Sequence, residues 1–126
     1  MRKAGFLLFA TFFFTACSPD QAVKKYYRSY LTGDYVRARS HVTVSQQEAF
    51  SVFDVQLRPD EKKRLRQRRV RVRDVAVDRL NDSSAIATCV ILLREPQQRE
   101  DTLYRLVLLK KEGRRWKVGS GVWSER

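Results

Sequence analysis

At Val70 the spacing of apolar residues changes from about three and a half to two, which divides the chain into a helical half followed by a strand half. Before that point Ser18 stands three residues ahead of Gln21 as a capping box, with Pro19 at the first helical position, where a missing N–H costs nothing. Val23, Tyr26, Tyr27, Tyr30 and Leu31 recur at spacings of three and four and form one apolar and aromatic stripe, while Lys24, Lys25 and Arg28 face outward. Gly33 ends this helix. Asp34 caps a short second helix carrying Tyr35, Ala38 and Val42. Ser45 with Glu48 then predicts a third ahead of Ala49, Phe50, Phe53 and Leu57. Pro59 either breaks the third helix or opens a continuation through Asp60, Glu61 and Leu65, because Pro is tolerated only in a first turn.

In the strand half Val70 and Val72 share one parity and Val75 and Val77 the other, so a bulge near Arg73 and Asp74 is needed to bring them to one face. Asn81 to Ser84 reads as a turn. Ala85 to Leu93 is the most apolar strand of the chain and belongs in the middle of a sheet. After a loop at Pro96, Leu103 to Leu109 gives a third strand, and a tight turn at Lys111-Glu112-Gly113-Arg114 leads into a fourth, Arg115 to Val122. Helices first and a four-stranded meander afterward predict an α+β domain, with the N-terminal helices packed on one face of a bent antiparallel sheet.

The first sixteen residues are not expected in that domain. Arg2 and Lys3, then an apolar run from Ala4 to Thr15, then Ala16 have the three parts of an export signal. The run is too short for a membrane span of about 20 residues. The segment Phe14-Thr15-Ala16-Cys17 resembles the bacterial lipoprotein signal, with Phe14 where an aliphatic residue is commoner. That resemblance implies removal of residues 1–16 and lipidation of Cys17 by palmitate-type acyl chains. Residues 17–19 would then be a short tether and 20–126 the single domain. Two or three such chains anchor stably where one does not. Ser18 after Cys17 favours, by the rule familiar from enteric bacteria, an outer membrane facing the periplasm.

Two further stretches carry a resemblance of their own. Ser18-Pro19-Asp20, Val23, Tyr26-Tyr27, Leu31, Gly33-Asp34-Tyr35 and Ala38, with Val107 to Val118 around Trp116, resemble the small bacterial lipoproteins of the nuclear-transport-factor-2-like superfamily. The resemblance implies a cone-shaped α+β fold. Relatives of that fold include enzymes and ligand binders, whereas its lipoprotein branch is mostly non-enzymatic or uncharacterised, so fold does not fix activity.

Residues able to carry chemistry are sparse. His41, the only histidine, sits at the end of a short helix, where a cation suits the helix terminus. Cys89 lies within an apolar strand, where a small buried thiol is usually inert. The spacings offer no metal site, phosphate loop, cofactor motif or catalytic set. Asp54 on the third helix and Asp74 at the bulge are the carboxylates that a pocket could use. Tyr26 and Tyr30, with Tyr27 and Tyr35, are the phenols that could line one. Together they sustain the alternative of a small ligand carrier or a lyase- or isomerase-like enzyme of the same fold.

Charge is the stronger signal. The chain has 26 basic and 14 acidic residues, a net +12, and loss of Arg2 and Lys3 would leave +10. Lys62, Lys63, Arg64, Arg66, Arg68, Arg69, Arg71 and Arg73 fall within twelve residues, and on the first strand Arg71 and Arg73 alternate with Val70 and Val72 and so face outward. For an exported protein nucleic acid is an unlikely partner. The polyanions it would meet are anionic lipid, glycolipid, acidic polysaccharide and acidic protein surfaces. The sequence therefore predicts a monomeric or weakly dimeric, non-enzymatic lipoprotein of the cell envelope, membrane-bound through its anchor, with a basic surface as its binding element.

Overall fold

The structure, a computed structural model, describes residues 18–124, with side chains described through residue 119. Residues 1–17, on which the expected export signal and the lipidation of Cys17 fall, lie outside the described residues. Helix α1 spans Pro19–Leu31 with Pro19 at its first position, so Pro19, expected in the tether, already belongs to the helix. Ser18 is its N-cap by backbone conformation, but its side chain makes no capping bond, and the first turn is closed by the Ala22 N–H donating to the Ser18 carbonyl at 3.3 Å. At the other end the Asp34 N–H reaches the Ser29 carbonyl and the Gly33 N–H reaches that of Tyr30, a left-handed termination that places Gly33 at φ +77°.

Helix α2, Tyr35–Arg39, is capped as expected by the Asp34 carboxylate, which accepts from the Arg37 N–H at 3.2 Å. The chain then runs along the sheet edge. Val42 bridges Val118 in parallel, with the Val118 N–H donating to the His41 carbonyl at 2.8 Å and the Thr43 N–H to the Val118 carbonyl at 3.0 Å. This tertiary pairing sets the start of α3, Val44–Gln56, whose N-cap is Thr43 and not Ser45. The Val44 N–H is taken by Glu112 Oε2 at 3.3 Å, so a residue from a distant strand does what the Ser45–Glu48 box was expected to do. Pro59 opens a separate helix, α4, Pro59–Arg66.

Strands β1 (Arg69–Arg79), β2 (Ser84–Arg94), β3 (Asp101–Glu112) and β4 (Arg115–Ser124) form an antiparallel meander in that order, with β2 and β3 central. The β1–β2 register shifts between Arg73 and Ala76, and Asp74 takes φ +52°. This is the expected bulge, and it returns Val75 and Val77 to the face that carries Val72. Gly113, at φ +65°, begins the two-residue turn between the paired Glu112 and Arg115.

The core lies between α1 and the inner face of the sheet, where Val23, Tyr27, Val42, Ile91, Val107, Leu109, Trp116 and Val118 are buried. Among the described residues the members of the core fall between Ala22 and Val118. Trp116 is 5% exposed, with Arg79 Cζ 5.3 Å from its ring centroid and the Lys111 ammonium at 5.9 Å. Phe50 is buried, but Phe53 is 42% exposed and lies at the margin of the core instead of filling it. The helices and the four-stranded antiparallel sheet make the fold α+β.

Candidate functional site

The sequence-predicted pocket residues do not converge. Tyr26 and Tyr30 stack with centroids 5.6 Å apart and join Tyr35, Phe50 and Phe53 in one aromatic cluster between α1, α2 and α3. Burial raises the Tyr26 phenol well above its ordinary range, and the neighbouring phenols of Tyr30 and Tyr35 add to the effect. Of the expected phenols Tyr30 and Tyr35 line the open cleft beside this cluster, about 280 Å³ in volume, which Phe53, Gln56 and Leu57 complete.

Asp54 is turned to Lys62, whose ammonium lies 3.1 Å from Oδ1. Asp74 is exposed at the bulge. Neither carboxylate lines the aromatic cleft. Burial pushes the Cys89 thiol up to about 11, which leaves it protonated at neutral pH. Among the described residues no group of three His, Cys, Asp or Glu is placed to hold a metal ion, and no helix is long and apolar enough to cross a membrane.

The basic residues are sorted by the fold into tied and untied groups. Arg68, 19% exposed on its side chain, donates to the Leu31 carbonyl at 3.2 Å and lies 3.4 Å from Glu95, which Arg64 also approaches at 3.6 Å. Lys62 is paired with Asp54 and Arg71 with Glu100, the latter at 3.5 Å. Lys63, Arg66, Arg69 and Arg73 pair with no carboxylate among the described residues.

The pairing of β1 with β2 adds a residue to this surface. Arg94 stands directly across from Arg69, and no carboxylate among the described residues pairs with either. Like charges directly opposite on neighbouring strands destabilise a sheet. Arg69, Arg71 and Arg94 line a groove of about 500 Å³ floored by Val70 and Leu92, with Glu100 as its only acidic residue. A groove with three guanidiniums and one carboxylate can receive a carboxylate or phosphate from outside and relieve the repulsion between Arg69 and Arg94.

This groove is far from the start of the domain. Ser18 and Ala22 lie beside Trp116 at the end of the sheet where Arg79 stacks on the indole. Arg69 begins β1, ten residues before Arg79, which at about 3.3 Å per residue is at most about 33 Å along the strand, less what the bulge at Asp74 takes up. Helix α1 spans much of that distance, 13 residues or about 20 Å, and its far end receives the bond from Arg68.

Two solved structures share the architecture. One is the solution structure of a SEC-C motif containing protein from Rhodopseudomonas palustris, 14% identical, covering 87% of this chain and 81% of its own, with a TM-score of 0.59. The other is the crystal structure of an NTF-2-like protein of unknown function from Shewanella oneidensis, also 14% identical, covering 80% of this chain and 91% of its own, with a TM-score of 0.58. At such identity the likeness is one of fold, and the fold is NTF-2-like. No protein-family model and no curated protein matches the chain.

Proposed function

We propose that the protein is a non-enzymatic lipoprotein of a bacterial cell envelope, anchored through Cys17 and most simply in an outer membrane facing the periplasm. In this reading it presents a basic surface to an anionic envelope component or an acidic protein. The observation that carries the reading is the Arg69–Arg94 pair at the mouth of the three-arginine groove, a repulsive arrangement that an incoming anion would convert into an attractive one. Because Ser18 already caps α1, the tether is short, and the groove lies at the opposite end of the domain. A separation of roughly 20–30 Å exceeds the Debye length of about 10 Å at 0.1 M salt. The belt is therefore addressed to partners beyond the anchoring bilayer. An enzymatic reading lacks a comparable observation, since Asp54 is held by Lys62 and Asp74 is exposed.

The test is recruitment of fluorescent polyglutamate and of an acidic polysaccharide to neutral vesicles bearing the anchored chain, across a salt series. DNA serves as the control for indiscriminate attraction. Binding that weakens steeply with salt and is lost in Arg66→Glu/Arg69→Glu, with circular dichroism unchanged, is the expected result. Recruitment that survives the double reversal would reject the belt as the binding element.

A further inference from the structure

A second basic concavity occupies the end of the domain next to the anchor. It is a cleft of about 460 Å³ lined by Ser18, Gln21 and Ala22 of α1, by Ser40 and His41, and by Trp116, and its cationic wall is made of Lys25, Arg114, Arg115 and Lys117. No carboxylate lines it. The lining comes from three separated segments, 18–25, 40–41 and 114–117, and the parallel pairing of His41–Thr43 with Val118 joins the last two. Lys117 is fixed in the wall, with its ammonium donating to the Ser40 carbonyl at 2.6 Å. The arrangement is separate from the belt and uses none of its residues.

We infer that this cleft is a phosphate-binding site, and that its place beside Ser18 suits it to the phosphate of a membrane lipid headgroup. A phosphate ester supplies several strong acceptors and more than one guanidinium or ammonium can share them, which matches a wall with four cationic side chains and a lining without acid. The cleft is roomy enough for a headgroup with its water, and Ser18 is the residue that follows Cys17 in sequence. Headgroups would therefore lie within reach of the cleft once the chain is anchored. Such a contact would fix how the domain stands on its membrane, with the arginine groove at the far end.

His41 reports on the site from within. Burial first, then the charges of Lys25 on α1, Lys117 and Arg115 on β4, and Arg37 on α2 depress its imidazole below the ordinary range. A bound phosphate would oppose those charges and raise it. The lone histidine makes the nuclear magnetic resonance signal unambiguous.

The experiment uses the full chain in neutral detergent micelles and follows the His41 imidazole in two arms, with chloride at matched ionic strength as the control. One arm titrates inorganic phosphate and the other dopes the micelles with phosphatidylglycerol. The inference expects a saturable shift and a higher His41 pKa in the presence of phosphate. It expects the lipid arm to saturate at a bulk phosphate concentration at least tenfold lower, which identifies the headgroup as the source. Saturation by inorganic phosphate alone would keep the phosphate site but overturn the headgroup assignment. Lys25→Gln/Arg115→Gln should weaken binding at least tenfold while leaving the backbone amide spectrum intact. A response no greater than that to chloride, or one that the double variant leaves unchanged, would overturn the site.

Discussion

Gly33→Ala tests the joint between α1 and α2, the point from which the helical layer is laid onto the sheet. Gly33 sits at φ +77°, and an L-residue there costs roughly 1–2 kcal/mol. A Cβ at this position would also meet Leu65 Cδ1 at 3.0 Å and Leu65 Cβ at 3.1 Å. The first atom can rotate aside, but the second is fixed to the α4 backbone, so that helix must shift. Overpacking of this kind costs about 1–3 kcal/mol. The sum is about 2–5 kcal/mol, a large part of the 5–15 kcal/mol that stabilises an ordinary domain. Urea unfolding of residues 18–126, followed by circular dichroism, should show the midpoint falling with the slope unchanged. In a Leu65→Ala background the Cδ1 contact is gone, so the same substitution should cost about 1 kcal/mol less. A Gly33→Ala variant as stable as its parent would refute both the left-handed termination and the close seat of α4 against it.

Two further expectations follow from the core and the anchor. Trp116→Ala removes a buried indole that contacts α1 and the Arg79 guanidinium, and should destabilise the domain by about 3–5 kcal/mol, read as a lowered unfolding midpoint. Cys17→Ser should move the protein from washed membranes to the soluble fraction, because firm attachment requires two or more acyl chains; retention on the membrane would argue for an uncleaved leader.

Much of the fold is legible in the sequence because it rests on local rules. The parity conflict between Val72 and Val75 can be resolved only by an extra residue, and Asp74 at φ +52° is that residue. Pro59 leaves two readings open locally, and the backbone takes the one in which it begins a helix. The N-cap of α3 is illegible for the opposite reason. It depends on Glu112, 68 residues away, and on a strand pairing that holds Thr43 in place. Phe53 has the same periodic signature as Phe50, yet only one of the two faces the sheet.

The candidate sites divide along the same line. The belt is visible as a run of charge, but its groove is completed by Arg94, which only the β1–β2 register brings opposite Arg69. The cleft beside Ser18 is not legible as a unit, since Lys25, His41 and the stretch Arg114 to Lys117 are well separated in the chain. The position of Asp54 on its helix suits a pocket, but its partner Lys62 belongs to the next helix across the Pro59 break.

In the proposed arrangement the anchored domain stands with its cleft toward the membrane and its arginine groove away from it. The most direct measurement is energy transfer from a donor on the domain to an acceptor in the lipid headgroups, with the lipidated chain reconstituted in vesicles. Arg69→Cys and Asp82→Cys, the latter exposed between β1 and β2 and outside the cleft, would each carry the donor, and Cys89 is buried and leaves the label to the introduced thiol. From the lengths of β1 and α1, the donor at residue 69 should lie roughly 20–30 Å farther from the headgroup plane than the donor at residue 82. Equal heights for the two donors, or a donor at residue 69 closer to the bilayer, would contradict the account.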